Sequence, residues 1–423
     1  MDIPAVVLSG NLGEDANNRS MNEIALALTR SLGRHGVPVY RFHPNRSVMD
    51  LSSRYCVHVP CPNLYEDPAS LVDALVEFAD AKSQRPVLFP SSDGAAQFIA
   101  DNEEALSAHF ALTTPSATCI GNTQNKRRLI EIAEAAGIPV PETHFPTNPD
   151  ELPNIADSVS YPVIIKPLYS PDWKRPEVTR VFGRVKALEV AEPGQLIDSC
   201  KTLLSLSSEF MVQEIVPGPT ENLLTFLGYI DSDGNTLTGC VRKKLRQYPP
   251  GFGYCAATES VDDAEVVDLA TELFKTLNYR GIGCAEFKRD ARSGKTRLIE
   301  INTRAVRTSA LAIAAGADFP WVAYQDAVSP GSVKPALDYR VPVLWIHLRD
   351  EFRSAGLMML KGQLSPVKWV RGFFGKPVVV AEFSWDDMRP GLLFWAHMPW
   401  RLVKVLFGRL RRSSRQGASR PAA

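Results

Sequence analysis

Glu286, Glu300 and Asn302 have the residue types and the spacing to hold a divalent cation. They lie in Cys284-Ala-Glu-Phe-Lys-Arg-Asp290 and Arg297-Leu-Ile-Glu-Ile-Asn-Thr-Arg304, which read as two arms of a β-hairpin turning through Ala291-Arg-Ser-Gly-Lys295. If that loop closes symmetrically, Asp290 faces Thr296, Glu286 comes opposite Glu300, and Asn302 shares their face. Two bare carboxylates about 5 Å apart repel by roughly 3 kcal/mol at an effective dielectric of about 20, so a sheet does not normally pair them. A hard cation removes the conflict. Oxygen-only ligands, with no neighbouring His or Cys pattern, point to magnesium or manganese. The other reading of the hairpin alone is a solvated surface turn whose charges never meet.

Other elements must bring further groups to such a cation. Residues 1–115 alternate short apolar strands (5–8, 37–40, 56–59, 87–89) with helical runs (about 17–34 and 71–81), the pattern of an open parallel α/β domain. In such sheets ligands meet the carboxyl ends of strands, here Ser9-Gly-Asn-Leu-Gly13 and Pro90-Ser-Ser-Asp-Gly94, although both also read as plain turns. A helix from about Thr123 to Ala136 follows, closed by Gly137. Then comes the buried strand Tyr161-Pro-Val-Ile-Ile-Lys-Pro167, whose Lys166 must find an anion or reach solvent. Phe210-Met-Val-Gln-Glu-Ile-Val216 is a strand stopped by Pro217-Gly-Pro219, and 223–230 with 236–241 form a second hairpin. These elements define a two-lobed α+β region over 116–335, followed by a C-terminal extension over 336–423.

The bulk composition excludes several classes of function. Lys plus Arg and Asp plus Glu number 47 each in 423 residues, so no net field favours nucleic acid. Seven scattered cysteines form neither a disulfide framework nor a paired metal motif, which suits a reducing, cytoplasmic setting. The first apolar run stops at Ser9-Gly10 and reads as a strand rather than a signal peptide, and no run of about 18 apolar residues suggests a membrane span. The segment 392–415 differs: Leu402, Val403, Leu406, Phe407 and Leu410 share one helical face among six cations between 401 and 415. It reads either as a basic amphipathic helix in peripheral contact with an anionic membrane, at its inner face, or as a helix docked on the protein.

Taken in order, Lys126, the Lys166 strand, the Gln213-Glu214 strand end, Arg242 to Arg246, and the Glu-Ile-Asn-x-Arg strand resemble the ATP-grasp superfamily over about 115–330. Within it the chain is most similar to the carboxylate–amine ligase branch that includes D-aspartate ligases. The resemblance implies that Lys126 and Lys166 bind the phosphates of ATP, that Gln213, Glu214, Ile215 and Val216 recognise adenine, and that Glu221 contacts ribose. It also implies that Glu286, Glu300 and Asn302 hold magnesium or manganese and that Arg304 steadies the transferred phosphoryl group. Arg242, Lys243 and Arg246 are candidate anchors for a substrate carboxylate, or else a solvated basic strand. The chain departs from the pattern after the lysine strand, where Leu168-Tyr-Ser-Pro-Asp-Trp-Lys-Arg-Pro176 replaces a glycine-rich phosphate loop. Lys174 or Arg175 would then have to supply charge in place of backbone N–H groups. The implied activity is ligation of a small-molecule carboxylate to an amine with release of ADP. The rivals are a carboxylase or kinase-like enzyme on the same ATP site, and a nucleotide-binding membrane scaffold without turnover.

Overall fold

A computed structural model describes residues 3–10, 21–169, 172–183, 185–251 and 253–397. The first sheet is wholly parallel and ordered β3-β2-β1-β4-β5, from β1 (Ala5–Leu8), β2 (Val39–Phe42), β3 (Cys56–Val59), β4 (Val87–Pro90) and β5 (Ala111–Leu112). The central strands β1 and β4 are apolar and buried at every position because both faces are covered. Val6, Leu8 and Leu88 pack into one core with Leu71, Leu75 and Ile99, while Ala5, Val7, Val87 and Phe89 turn to the other with Leu28 and Leu32. Successive connections leave β1 in opposite directions, so the topological switch point lies between β1 and β4. The first long helix starts at Glu23, where the Asn22 side chain caps it, and β2 runs two residues later than the sequence pattern suggested.

The second sheet is antiparallel, ordered β6-β9-β7-β8, from β6 (Thr143–His144), β7 (Val163–Pro167), β8 (Leu188–Val190) and β9 (Phe210–Glu214). The single helix expected near Thr123–Ala136 is two, Ala117–Gln124 and Lys126–Ala135. Asn125 breaks the run because its side chain accepts from the N–H groups of Arg127 and Arg128, starting a new helix with Lys126 at its first position.

The third sheet has seven strands ordered β14-β13-β10-β11-β12-β15-β16. They are β10 (Leu223–Ile230), β11 (Thr236–Tyr248), β12 (Tyr254–Ser260), β13 (Gly281–Arg289), β14 (Thr296–Asn302), β15 (Leu344–Ile346) and β16 (Val378–Val380). One face packs Phe226, Val241 and Phe287 against the helix Ala264–Thr276. The other packs Leu227, Cys240 and Cys284 in a core continuous with Val7, Leu28 and Phe89 of the first domain, through the helices Ser309–Ala315 and Phe319–Val328.

Residues after 335 therefore do not stand apart as an extension: β15 pairs with β12 and carries β16. The helix Arg389–Ala396 also docks, with Phe394 against Met21, Leu26 and Met49. Of the amphipathic segment 392–415, the part beyond 397 lies outside the described residues. Among the described residues no helix is long and apolar enough to cross a membrane.

Candidate active site

The hairpin forms, and Glu286 does stand opposite Glu300, but by a different register from the symmetric one. Arg289 rather than Asp290 faces Thr296, and the pairing runs one residue off as far as Phe287 opposite Leu298. A bulge at Ile299 then restores the count, so Glu286 meets Glu300 and Cys284 meets Asn302. The same row continues across the sheet through Thr225 to Arg242 and Ser260. Alternation places Lys288 on β13 and Lys244 on β11 on that face as well.

Lys126 and Lys166 bring cations to these acids from the smaller lobe. Lys166 is held by a 3.0 Å hydrogen bond to the Gln213 side-chain oxygen, whose amide nitrogen donates to Thr143. Burial pushes the Lys166 pKa down to about 8, against the pull of the Glu300 charge. Lys126 is lowered by burial in the same way, with Glu300 again opposing. Burial and then the Glu286 charge raise the Glu300 pKa, offset in part by Lys166 and Lys126. An acid whose ionisation a facing acid opposes, as at Glu300, is a fit for a hard cation: the donors are all oxygen, and Asn302 adds a neutral one. Among the described residues no three His, Cys, Asp or Glu side chains converge into a self-sufficient metal site. Any cation here would need ligands from a bound molecule, the habit of magnesium on phosphates.

Arg242 is 4% exposed, 3.8 Å from a Glu286 oxygen, with its Nε and Nη1 groups unbonded. Lys243 and Arg246, grouped with it in the sequence, do not join it. Lys243 lies on the opposite face by alternation and pairs with Glu259 at 2.9 Å. Arg246 follows a register shift in β11 and is clamped by both Glu351 oxygens, at 2.7 and 2.9 Å from Nε. Arg175 is likewise taken: it bonds Asp172 and the Leu206 carbonyl and so braces its own loop, while Lys174 is exposed.

The strand end Gln213–Val216 runs from the smaller sheet into the larger one. Gln213 is buried and spends its amide on Lys166 and Thr143, so its side chain is a brace rather than a free reader of a base. The Glu214 carboxylate is held by Arg292 and Arg297 from the far side of the hairpin, at 2.6 and 2.7 Å. Glu221 is exposed on the turn Thr220–Asn222.

Three residues were overlooked in the sequence. Lys244 and Lys288 could have been found by counting in twos from Arg242 and Glu286. Asp93 could not: it comes from the first domain and grips Arg304 through both oxygens, Nε–Oδ1 and Nη2–Oδ2 each at 2.7 Å.

Residues 253–329, which carry β12 to β14 and the helices that follow, match the family Carbamoyl-phosphate synthase L chain, ATP binding domain. A D-aspartate ligase of Enterococcus faecium (strain Aus0004) is 25% identical over 264 residues, 59% of this chain and 61% of the relative, so the chain spans less than two thirds of that protein. Among solved structures, an L-amino acid ligase from Bacillus licheniformis superposes with a TM-score of 0.55 at 17% identity, covering 79% of this chain and 77% of that one. The biotin carboxylase domain of a Hydrogenobacter thermophilus 2-oxoglutarate carboxylase, solved with MgADP and bicarbonate, gives 0.58 at 16% identity, covering 80% and 73%. That match lies over the carboxylate hairpin, and the chain shares its fold with these solved enzymes.

Proposed function

We propose that this protein is an ATP-dependent carboxylate–amine ligase that releases ADP and phosphate. The observation that carries the reading is the Glu286–Glu300 pair, with Asn302 beside it, facing half-buried Lys126 and Lys166 across the cleft. Lys126 and Lys166 would bind the ATP phosphates, the backbone at Glu214 to Val216 the adenine edge, and Glu221 the ribose. Glu286, Glu300 and Asn302 would hold magnesium, or manganese, which when bound neutralises phosphate charge during transfer.

The substrate carboxylate oxygen attacks the γ-phosphorus, the bond to the β,γ-bridging oxygen breaks, and an acyl phosphate and ADP result. The amine nitrogen then attacks the acyl carbon, phosphate leaves with the C–O bonding pair, and the nitrogen gives up a proton. Two anions approach in the first step, so fixed cations at the transferring group lower its barrier. Arg304 and Arg242 are suited to this, the latter because its unbonded N–H groups already sit on the Glu286 face. The named activities of the Enterococcus faecium and Bacillus licheniformis relatives favour an amino acid among the substrates.

The test is ADP release with amino acids and sugar acids, each paired with candidate amines, and a parallel run with hydroxylamine. A productive carboxylate should release ADP only with magnesium or manganese and should yield a hydroxamate with hydroxylamine. Bicarbonate-dependent ADP release without an amine would replace this reading with a carboxylase.

A further inference from the structure

We infer that Asp93 of the first domain is the positioning residue for Arg304, so that this domain sets the geometry of phosphoryl transfer as well as supporting the fold. The inference rests on the ligase reading for its functional meaning. A guanidinium has five N–H donors, in one plane. In Arg304 the Nε and Nη2 edge is closed by the two Asp93 oxygens, at 2.7 Å each, and Nη1 donates to the Ala305 carbonyl at 2.9 Å. Both Nη groups keep one further N–H, which leaves the second fork of the guanidinium for an anion. A bidentate pair fixes the plane of that fork, where a single bond would let it swing.

The placement of Asp93 supports the same role. It follows β4 at the switch point of the parallel sheet, in the Pro90-Ser-Ser-Asp-Gly94 turn, and it opens the helix Asp93–Asp101 that Ser92 caps. A carboxylate in the first turn of a helix is stabilised as an anion by the helix dipole. Its side chain is 61% exposed while that of Arg304 is 14% exposed, so the carboxylate reaches in from an open surface to an enclosed cation. A buried structural ion pair would enclose both partners. Arg304 in turn stands two residues beyond Asn302.

The experiment is a double-mutant cycle on ADP release with Asp93→Asn, Arg304→Gln and the pair, with ATP affinity by calorimetry and thermal melts alongside. Asp93→Asn should lower kcat by about ten- to a hundredfold, as misplacement of a catalytic group does. ATP affinity and melting temperature should stay near wild type. In the Arg304→Gln background the same change should cost nothing more, and Asp93→Glu should recover part of the loss. Unchanged kcat, or equal losses in both backgrounds, would overturn the assignment. If the wild type releases no ADP with any pair, the ligase reading fails, and the Arg304 Nε–H resonance then decides the positioning. That signal should exchange slowly in the wild type and be lost in Asp93→Asn; its persistence would refute the inference.

Discussion

Two clusters of acids, one on the third sheet and one among the helices and loops beside it, are treated in opposite ways. At the edge, Glu286 and Glu300 face each other, with Arg242 no nearer than 3.8 Å to Glu286, and the Glu300 pKa is raised. Beyond β12, Glu23, Asp350 and Glu382 surround the fully buried His347, with Glu23 3.2 Å and Asp350 3.1 Å from its ring nitrogens, and Arg307 reaches Asp350 at 2.9 Å. Burial alone would raise the Glu23 pKa, but the His347 hydrogen bond and the Arg307 charge outweigh it and hold the group at about 2. Glu23 and Asp350, neutralised by the protein's own cations, tie together helix Glu23–Arg34, the loop after β14 and helix Leu348–Leu360. Acids left facing each other, offset only in part by Lys166 and Lys126, keep a demand for charge that a bound cation can meet.

The sharpest way to break this contrast is to remove the unmet pair. Glu286→Gln or Glu300→Gln should each cut ADP release by on the order of a hundred- to a thousandfold, and the double variant should be hardly worse, because groups sharing one ion act as a unit. Stability should move the other way. A carboxyl whose folded pKa is raised gives stability below its ordinary value of 4.5 and loses it as pH rises through the raised value. At pH 7 without nucleotide, Glu300→Gln should therefore melt at or above the wild type, and the gap should close below pH 4.5.

The paired cluster should give the reverse result. Arg307→Met should cost about 3 kcal/mol by denaturant unfolding, since it leaves buried acids short of a cation, with ATP affinity near wild type. The pH window follows from the shifts. The Glu23 contribution is present above 4.5 and lost as pH falls through about 2. The contribution of His347, whose pKa is raised because Asp350 and Glu23 outweigh burial, is present below 6.5 and lost as pH rises through the raised value. Lost ATP binding with an unchanged melt would show that this cluster serves the nucleotide after all.

A smaller effect is expected from pH at Lys166. Its pKa of about 8 in the free protein means that part of the population is neutral at pH 9, and a bound triphosphate must reprotonate it. Calorimetry should show ATP affinity several-fold weaker at pH 9 than at pH 7, with proton uptake, and Lys166→Ala should be weak at both. The smallest effect belongs to Lys243. Paired with Glu259 on the other face, and with Lys376 also holding that acid, Lys243→Met should change ADP release by less than about twofold, as it points away from the Glu286 row. A larger loss would mean that the faces of β11 have been assigned the wrong way round.

Period-two counting made the facing of the two acids, with Asn302 on their side, legible in the sequence, yet the agreement at Glu286 came through two departures that cancel. The loop closes one residue off, and the bulge at Ile299 shifts the register back. A bulge has no composition of its own, so the count could not see it. The same rule of two separates Arg242 and Lys244 from Lys243, and grouping all the basic residues of the strand set that information aside. Lys166 was readable because a lysine ending an apolar strand needs an explanation, but its brace was not: Gln213 stands 47 residues away.

The sequence by itself determined most of the strands, the order of the charged groups along them and the oxygen-only chemistry of the hairpin, because alternation and propensity act over a few neighbouring residues. It could not determine partners. Asp93 lies 211 residues before Arg304, Glu351 lies 105 after Arg246, and β15 joins β12 across some eighty residues. Such pairings depend on which surfaces meet once the apolar faces are buried. That is a property of the packed chain, which decides whether a cation is free to act or already bound within the fold.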